Sequence, residues 1–397
     1  MSTASPSALT MPLVPDDEEN AIRDSVRGIC LGFGADYPRR CHAEERPPTE
    51  LWAALSEAGF TGINLPEAWG GGGLGMTGLT LVAEEIAAAI GMTTLMLVVS
   101  PAIAGTILAI HGTDEQRERW LRGIAAGTTK VSFAITEPDA GTNSHNLRTE
   151  LRRDGDRYLL RGQKTYISGV EDADAVLVIT RLRREDGVLG KPTLCIIDVD
   201  AEGFTRDPIG VPYIGPDKQW TLYFDDVEVA PDRIIGGEEG GLPVTFDGLN
   251  PERVIAAAGS NGLARLALEK ASAYANERAV WGVPIGSHQG VAHPLARAKI
   301  ELELARLMTR KAAALIDARA NPAVTGEASN MAKFAAAEAA CHCVDAAIQT
   351  HGGNGIALEY GVSDLWWMAR LLRIAPVSEQ MILNHVAQHS LGLPKSY

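Results

Sequence analysis

The chain has 397 residues, more than one ordinary hydrophobic core holds, so we expect two or three domains. Hydrophobic residues make up 46% of the sequence and charged residues 22%, which is typical of a folded globular protein in water. The formal net charge of −14 excludes a generally basic surface, and we therefore expect no nucleic-acid partner.

The N-terminal stretch, MSTASPSALTMPLVPDDEE, indicates a loose tail before a first helix. It has neither the basic start and apolar core of a secretory signal nor the arginines of a transit peptide. The five cysteines are scattered without a disulfide framework, which is typical of a reducing compartment, so we expect a cytoplasmic protein. Cys341 and Cys343 flank His342, but residues two apart on a helix point to different sides, so we expect no metal site.

Residues from about 15 to 127 have the periodicity of helices. Within them, residues 86–110 carry no charge over a length that could cross a bilayer. Gly91 and Pro101 interrupt this segment and no aromatic or basic belt flanks it, so we expect no membrane span. The sequence instead predicts two buried helices that break near Pro101 and wall an apolar pocket.

The middle of the chain alternates apolar and polar residues in short segments such as ADAVLVITRL and KQWTLYFDDVEV. These segments are rich in β-branched and aromatic residues, which predicts a barrel or sandwich of antiparallel strands. Long helical stretches follow from about residue 240. Helices, strands and helices in separate blocks predict an α+β multi-domain protein, not a doubly wound sheet, with domains at 1–127, 128–238 and 239–397.

Three short motifs contain groups that could bind a flat ligand bearing phosphates. FAITEPDAGTN, at 133–143, combines a strand end with backbone N–H groups and hydroxyls that suit the edge of a heteroaromatic ring. KTYISG, at 164–169, offers the Tyr166 ring and the Ser168 hydroxyl on one side of a strand. QTHGGNG, at 349–355, ends a helix with glycines that let the backbone approach a phosphate. Taken singly, each also fits an ordinary strand or helix end.

The order of these motifs, with PEAWGGGGLG and ANERAVWGVPIGSHQ, resembles the acyl-CoA dehydrogenase family over nearly the whole chain. The resemblance implies an N-terminal helical domain, a central antiparallel β-barrel and a C-terminal four-helix bundle. It also implies an FAD-dependent enzyme that introduces a double bond into an acyl-CoA thioester. Electron-transferring flavoprotein is then the expected electron acceptor, and a homotetramer, or at least a dimer, the expected assembly.

The resemblance further implies which residues hold FAD. Those expected to line the flavin and its ribityl arm are Phe133, Ile135, Thr136 and Thr142. Tyr166 is expected at the ring face, and the Ser168 hydroxyl is expected to donate near flavin N5. Those expected to hold the pyrophosphate and the adenine are Arg278, Trp281, Gln289, Gln349 and Gly353. Ser378 and Gln380 match C-terminal contacts to the cofactor.

The catalytic base raises a separate question, because most family members carry a glutamate where this chain has Pro376. Members that resemble isovaleryl- and long-chain acyl-CoA dehydrogenases carry the base on another helix, directly before an arginine. Glu252 followed by Arg253 matches that arrangement, so we predict Glu252 as the general base. Asn250-Pro251-Glu252 is also typical of a helix start, in which an acid is favoured without any catalytic role. Glu379 is a second candidate base.

Three residues are expected on the substrate side: Thr142, Arg253 and Ala375. Ala375 and Pro376 leave space where the family often has larger side chains, which predicts tolerance of branched or bulky acyl groups. Pro376 also lacks the backbone N–H that polarises the thioester carbonyl in other members.

Other reactions also fit the sequence. An acyl-CoA oxidase or a flavin monooxygenase of the same fold would keep FAD and change the reaction. A dehydrogenase that acts on a carrier-bound acyl group would change only the substrate. A DNA-associated, non-catalytic member of the fold is disfavoured by the net charge of −14.

Overall fold

The computed structural model describes residues 14–395 except 93, 216 and 239, so most of the predicted N-terminal tail lies outside the described residues. The chain divides into two compact units, which we name the helical unit and the sheet unit. The helical unit comprises the residues up to Gly34, residues 76–91 and the residues from Arg253 onward. The sheet unit comprises residues 35–75 and 92–252.

The N-terminal part of the chain is helical, as predicted. Its α-helices are α1 (Asp17–Gly32), α2 (Tyr37–Ala43), α3 (Thr49–Glu57), α4 (Gly75–Ile90), α5 (Leu95–Leu97), α6 (Thr106–His111), α7 (Asp114–Gln116) and α8 (Arg122–Ala126). Wider π-helical turns occupy Val98–Gly105 and Arg117–Leu121. Helix α1 begins with a capping box, in which Asp16 accepts from the Glu19 backbone and Glu19 accepts from the Asp16 backbone.

The break predicted near Pro101 in the uncharged segment is wrong. The chain stays helical through Pro101, which lies in the π-helical turn Val98–Gly105. A π-helical turn carries a wider spacing of backbone hydrogen bonds, which accommodates a residue without an N–H. The Pro101 carbonyl accepts from Asn64 Nδ2 at 3.1 Å. The interruption instead follows α4 at Gly91, which has a left-handed φ of 70°. Among the residues described, no helix is long and apolar enough to cross a membrane.

The sheet unit contains an eight-stranded sheet. Its strands are β1 (Val131–Ala134), β2 (Glu150–Asp154), β3 (Arg157–Ser168), β4 (Ala175–Arg183), β5 (Leu189–Asp198), β6 (Phe204–Ile209), β7 (Gln219–Val229) and β8 (Ile234–Ile235). Neighbouring strands follow the order β6-β7-β3-β2-β4-β5-β8, and β1 also pairs with β4. Inward-facing apolar residues fill its core, for example Leu160, Val178 and Leu222.

Two of the strand pairs are parallel, which corrects the expectation of a wholly antiparallel sheet. Strand β1 runs beside residues 175–178 of β4, and β2 runs in the same direction beside residues 181–183. The two strands therefore lie end to end along β4, and the intervening loop 135–149 leaves this edge and returns to it. That loop contains most of the motif FAITEPDAGTN, so the parallel pairing positions both ends of a predicted ligand-binding segment.

The C-terminal part has three long helices followed by shorter ones. They are α9 (Gly241–Glu277), α10 (Gln289–Asp317), α11 (Pro322–His351), α12 (Asp364–Leu371) and α13 (Glu379–His385), with the hairpin β9 (Ala279–Val280) and β10 (Val283–Pro284) between α9 and α10. Small buried residues such as Ala305 and Ala336 let α10 and α11 approach closely. The last part of the chain forms the two short helices α12 and α13, separated by the turn that contains Pro376.

The helical unit also buries a group of charges. Glu84 and Glu85 of α4 are almost fully buried. The Arg265 guanidinium lies 2.9 Å from Glu84 and 2.5 Å from Glu85, and Arg306 Nε lies 3.0 Å from Glu84. A buried carboxylate has lost its hydration, and a nearby cation is needed to offset that loss. The two α4 glutamates are thus bound to both α9 and α10.

Candidate active site

The loop 135–149 is held by a buried ion pair between Lys164 and Glu137. Lys164 Nζ donates to Glu137 Oε1 at 2.9 Å and to the Ile135 carbonyl at 2.8 Å. The Glu137 carboxylate also accepts from the backbone N–H groups of Arg148, at 2.7 Å, and Thr149, at 2.9 Å. Glu137 therefore binds the C-terminal end of the loop, and Lys164 binds its N-terminal end at Ile135.

The pKa values of this pair reflect burial as well as attraction. Burial lowers the pKa of Lys164 to about 8, although the Glu137 charge opposes the change. Burial alone would raise the pKa of Glu137, but the Lys164 charge and the hydrogen bonds leave that pKa below its usual value. The pair is thus charged at neutral pH, and both partners are satisfied.

The predicted flavin-lining residues lie on and after β1. Phe133 is buried in that strand, opposite Leu177 of β4. Ile135 and Thr136 are half-buried just beyond it, and the Thr136 carbonyl accepts from the Thr165 N–H at 2.9 Å. The structure therefore brings the motifs FAITEPDAGTN and KTYISG together. Thr142 is exposed farther along the loop.

Tyr166 and Ser168 end strand β3 with different surroundings. The pairing of β3 with β7 is irregular between Lys164 and Ile167, and Tyr166 has a φ of 57°. The Tyr166 side chain is 63% exposed. The Ser168 carbonyl accepts from Ser132 Oγ at 2.7 Å, and its hydroxyl lies 2.9 Å from Gln219 Nε2. An exposed ring beside a firmly held hydroxyl fits a planar aromatic ligand with a polar edge.

The second predicted set lies in the helical unit, at the connection between α9 and α10. Arg278 and Gln289 are exposed on either side of the hairpin, and Trp281 is 88% exposed with a φ of 53°. The Arg278 carbonyl accepts from the Ile285 N–H at 2.8 Å, which closes the hairpin. Exposed cationic, amide and aromatic groups of this kind suit a phosphate and a purine.

Gln349 and Gly353 lie at the C-terminal end of α11, near the end of α9. The His351 ring stacks on Tyr274 of α9 with centroids 4.3 Å apart, and Asn354 Nδ2 donates to the Tyr274 hydroxyl at 3.1 Å. Gln349 and Gly353 are both exposed, and no described atom would meet a Cβ added at Gly353. The α11 end therefore leaves room for a ligand to approach the backbone closely.

The turn before α13 is held by a buried lysine of α11. Lys333 is 2% exposed, and its Nζ donates to the Val377 carbonyl at 2.5 Å. Ala375 and Pro376 are half-buried in this turn. Ser378 is the N-cap of α13, where its hydroxyl accepts from the Met381 N–H. Gln380, the next predicted cofactor contact, is exposed.

Glu379, the second candidate base, is engaged elsewhere. Arg373 Nη2 donates to Glu379 Oε2 at 3.0 Å. That contact would have to break before the Glu379 carboxylate could meet a substrate. The pairing therefore disfavours Glu379 as the group that removes a proton.

Glu252 is half-buried inside α9, which begins at Gly241. Pro251 thus lies in the helix interior, so the alternative interpretation of Asn250-Pro251-Glu252 as a helix start is wrong. The adjacent Arg253 lies near α13. Burial lowers the pKa of His385, and the charges of His389 and Arg253 lower it further.

Four residues that shape these surroundings were not assigned a role from the sequence: Glu137, Lys164, Gln219 and Lys333. A lysine inside an alternating strand segment was a usable signal for Lys164, because a buried lysine needs a carboxylate or carbonyl partner. Nothing local in the Ala-rich stretch around Lys333 indicated its burial, which depends on the distant Val377 carbonyl.

The cysteine pair is also explained by the helical unit. Cys341 Sγ donates to the Ala369 carbonyl of α12, whereas Cys343 Sγ donates to the Ala298 carbonyl of α10. The two thiols thus point to different neighbouring helices. Each is buried, which raises the pKa of Cys341 to about 11 and that of Cys343 to about 12.

Comparison with known proteins assigns the chain to a family. Sequence models for acyl-CoA dehydrogenase match over 16–128 (N-terminal domain), 132–227 (middle domain) and 239–391 (C-terminal domain). The acyl-CoA dehydrogenase FadE12 of Mycobacterium tuberculosis is 49% identical over 386 residues, covering 97% of this chain and 98% of that protein.

Two solved structures are similar throughout. A glutaryl-coenzyme A dehydrogenase in complex with glutaryl-CoA has a TM-score of 0.90 at 28% identity, covering 97% of this chain and 98% of that one. Butyryl-CoA dehydrogenase from Megasphaera elsdenii has a TM-score of 0.90 at 25% identity, covering 96% of this chain and 100% of that one. These matches confirm the predicted fold class, and the chain belongs to the acyl-CoA dehydrogenase family.

Proposed function

We propose that this chain oxidises the bond between Cα and Cβ of an acyl-CoA thioester, with Glu252 as the general base. The Glu252 carboxylate takes the α-proton, and the carboxyl group holds it as the double bond forms. FAD, when bound, supplies the acceptor for the hydride that leaves Cβ. The observation that carries the assignment is a half-buried glutamate inside α9, where no helix-start role explains it.

The surroundings of the two other relevant positions support Glu252. Position 376 is a proline and has no acidic group. Glu379 is paired with Arg373. The neighbour of Glu252 along the chain, Arg253, influences His385 of α13, so this part of α9 lies near the helix that follows the Pro376 turn. This placement of Arg253 supports α9 as the helix that carries the base.

The cofactor-binding assignments follow from the same proposal. In the sheet unit, Phe133, Ile135, Thr136, Thr142, Tyr166 and Ser168 would hold the flavin and its ribityl arm. In the helical unit, Arg278, Trp281, Gln289, Gln349, Gly353, Ser378 and Gln380 would hold the rest of FAD. The exposure of Tyr166 and Trp281 supports this, because an accessible aromatic face can stack on a planar ring.

Substrate preference is proposed from the Pro376 turn. Ala375 and Pro376 are small, and Thr142 and Arg253 are the other groups assigned to the substrate side. We expect branched or bulky acyl groups to be accepted. Because Pro376 has no N–H, it cannot donate to the thioester carbonyl, and a donor of that kind contributes about 3 kcal/mol to catalysis.

The assembly and acceptor are proposed on separate grounds. Apolar side chains are exposed on the helical unit, including Ile300 and Leu304 of α10 and Ile356 after α11. Exposed apolar patches mark protein contacts, which supports a homotetramer or a dimer. Electron-transferring flavoprotein as the acceptor follows from family membership. The five free cysteines fit a reducing compartment such as the cytoplasm.

The reaction is tested by adding straight-chain and branched acyl-CoA thioesters to the FAD-loaded protein without oxygen. Loss of the flavin absorbance on addition of an acyl-CoA, with formation of the 2-enoyl product, is the expected result, and branched substrates should act at least as fast as straight ones. A flavin that stays oxidised with every thioester would contradict the proposal. Rapid reoxidation by oxygen would favour an oxidase or a monooxygenase.

A further inference from the structure

Ser168 is held by three hydrogen-bonding groups at the junction of β3 and β7. Ser168 ends β3 and pairs with Gln219, the first residue of β7. Gln219 Nε2 lies 2.9 Å from Ser168 Oγ, and Gln219 Oε1 lies 3.2 Å from the same oxygen. Ser132 Oγ donates to the Ser168 carbonyl at 2.7 Å, which fixes the backbone. Gln219 itself is only 7% exposed.

A serine hydroxyl has a single proton, so these contacts are alternatives. If the Ser168 hydroxyl donates to Gln219 Oε1, its proton is used within the protein. If the Gln219 amide donates to Ser168 Oγ, the serine proton is released for a third acceptor. The amide nitrogen makes the shorter contact, and that geometry favours the second arrangement.

We propose that Gln219 is a positioning residue that donates to Ser168 Oγ and thereby directs the serine proton toward the bound flavin. The inference rests on the proposed function for one point only, the placement of FAD beside Ser168. Gln219 does not touch the reacting atoms of the substrate. It acts through Ser168, whose hydroxyl it keeps as a donor.

The surroundings explain why an amide is needed at position 219. The residues on either side bond to an acid: the Lys218 N–H donates to Glu171 at 2.7 Å, and Trp220 Nε1 donates to Glu171 at 2.6 Å. Asp217 is buried close by and accepts from the Leu95 N–H. Glu171 accepts in both of these contacts, and Asp217 accepts from Leu95 through one oxygen. Gln219 is thus a donor side chain among acceptors.

The test uses Gln219→Glu, which keeps the size of the side chain and makes its hydrogen bonding depend on pH. A protonated carboxyl can donate to Ser168 Oγ as the amide does, whereas a carboxylate can only accept and would take the serine proton. The visible spectrum and FAD affinity of the loaded protein are measured from about pH 5 to 9. Ser168→Ala is the reference for loss of the flavin contact, and Gln219→Met is a control without hydrogen bonds.

We expect Gln219→Glu to resemble the unchanged protein at low pH and Ser168→Ala at high pH. At high pH it should bind FAD about three- to tenfold more weakly, the equivalent of one hydrogen bond. Other titratable groups lie nearby, namely Asp217, Glu171 and Tyr213, with the Lys130–Asp172 pair beyond them. Any pH dependence that these groups cause is measured in the unchanged protein and in Gln219→Met. These readouts require bound FAD but no acyl thioester, so they separate this inference from the proposed reaction.

Two outcomes would overturn the inference. In the first, Gln219→Glu shows the same pH dependence as the unchanged protein while its fold, measured by circular dichroism, is intact. In the second, Ser168→Ala leaves the flavin spectrum and FAD affinity unaltered, which would mean that Ser168 does not touch the flavin. If Gln219→Glu fails to fold, Gln219→Met still decides: a spectrum and affinity equal to those of the unchanged protein would contradict a positioning role.

Discussion

Asp217 offers a quantitative test, because it is a buried acid whose ionisation opposes folding. It is 4% exposed, and Oδ2 accepts from the Leu95 N–H at 3.2 Å. Burial raises the pKa of Asp217 to about 7; the Glu171 charge adds to the rise, and Lys130 opposes it. Asp217→Asn keeps an oxygen for the Leu95 N–H and removes the ionisation.

The size of the effect follows from the two pKa values. The folded protein binds the Asp217 proton with a pKa of about 7, against an ordinary aspartate pKa of 3.8. At 1.36 kcal/mol per pKa unit, the difference is about 4 kcal/mol. Because the folded state binds the proton more tightly, Asp217 lowers stability as pH rises from about 4 to 7. Above that window the full penalty is present.

The assay compares the melting temperatures of Asp217→Asn and the unchanged protein at about pH 5 and pH 8. Between these two pH values the penalty grows by about 3 kcal/mol, so the variant should gain about 3 °C relative to the unchanged protein, given an unfolding entropy of about 2.1 cal/mol/K per residue. Asp225→Asn is the matched control, because Asp225 lies in the same unit with its side chain 86% exposed. A melting-temperature difference that is the same at both pH values would refute the reasoning.

Three further predictions concern buried polar groups. Lys164→Met leaves the Glu137 carboxylate buried without its charge partner and should destabilise the protein by about 3–5 kcal/mol. The double variant Lys164→Met/Glu137→Gln should recover part of that loss, and strictly additive losses in melting temperature would contradict the prediction. Tyr213→Phe should change stability by no more than about 1 kcal/mol, because the buried Tyr213 hydroxyl has only a weak contact, to Gln219; a larger drop in melting temperature would count against this. Lys333→Met should lower the free energy of unfolding by about 1–3 kcal/mol and slow flavin reduction, because the Val377 carbonyl loses its donor. Lys299→Met, at an exposed lysine, should alter neither quantity. Equal effects of both substitutions would show that the contact to Val377 has no special role.

Much of the fold could be predicted from the sequence because its signals are local. Alternation in ADAVLVITRL indicated a strand, and the structure has β4 at Ala175–Arg183. The order of several such segments identified the family. The domain limits of 1–127, 128–238 and 239–397 stay a prediction.

The errors arose where distant parts of the chain override a local rule. Proline normally marks a helix boundary, yet Pro101 lies within a π-helical turn and Pro251 within α9. Burial of Val254 and its neighbours stabilises α9 around Pro251. Strict alternation would place Tyr166 on the same buried face as Tyr158 and Lys164, but the irregular pairing of β3 between Lys164 and Ile167 leaves Tyr166 exposed and Ile167 buried. No pattern within a single strand could reveal that irregularity.

The identity of the base is tested most directly by anaerobic flavin reduction in Glu252→Gln, with Glu379→Gln as the matched control. Both substitutions remove a carboxylate and keep its size, and the FAD content of each variant is measured first. We predict that Glu252→Gln slows reduction by an acyl-CoA about 10²- to 10⁴-fold, whereas Glu379→Gln stays close to the unchanged rate. Undiminished reduction in Glu252→Gln, or the large loss in Glu379→Gln instead, would contradict the account.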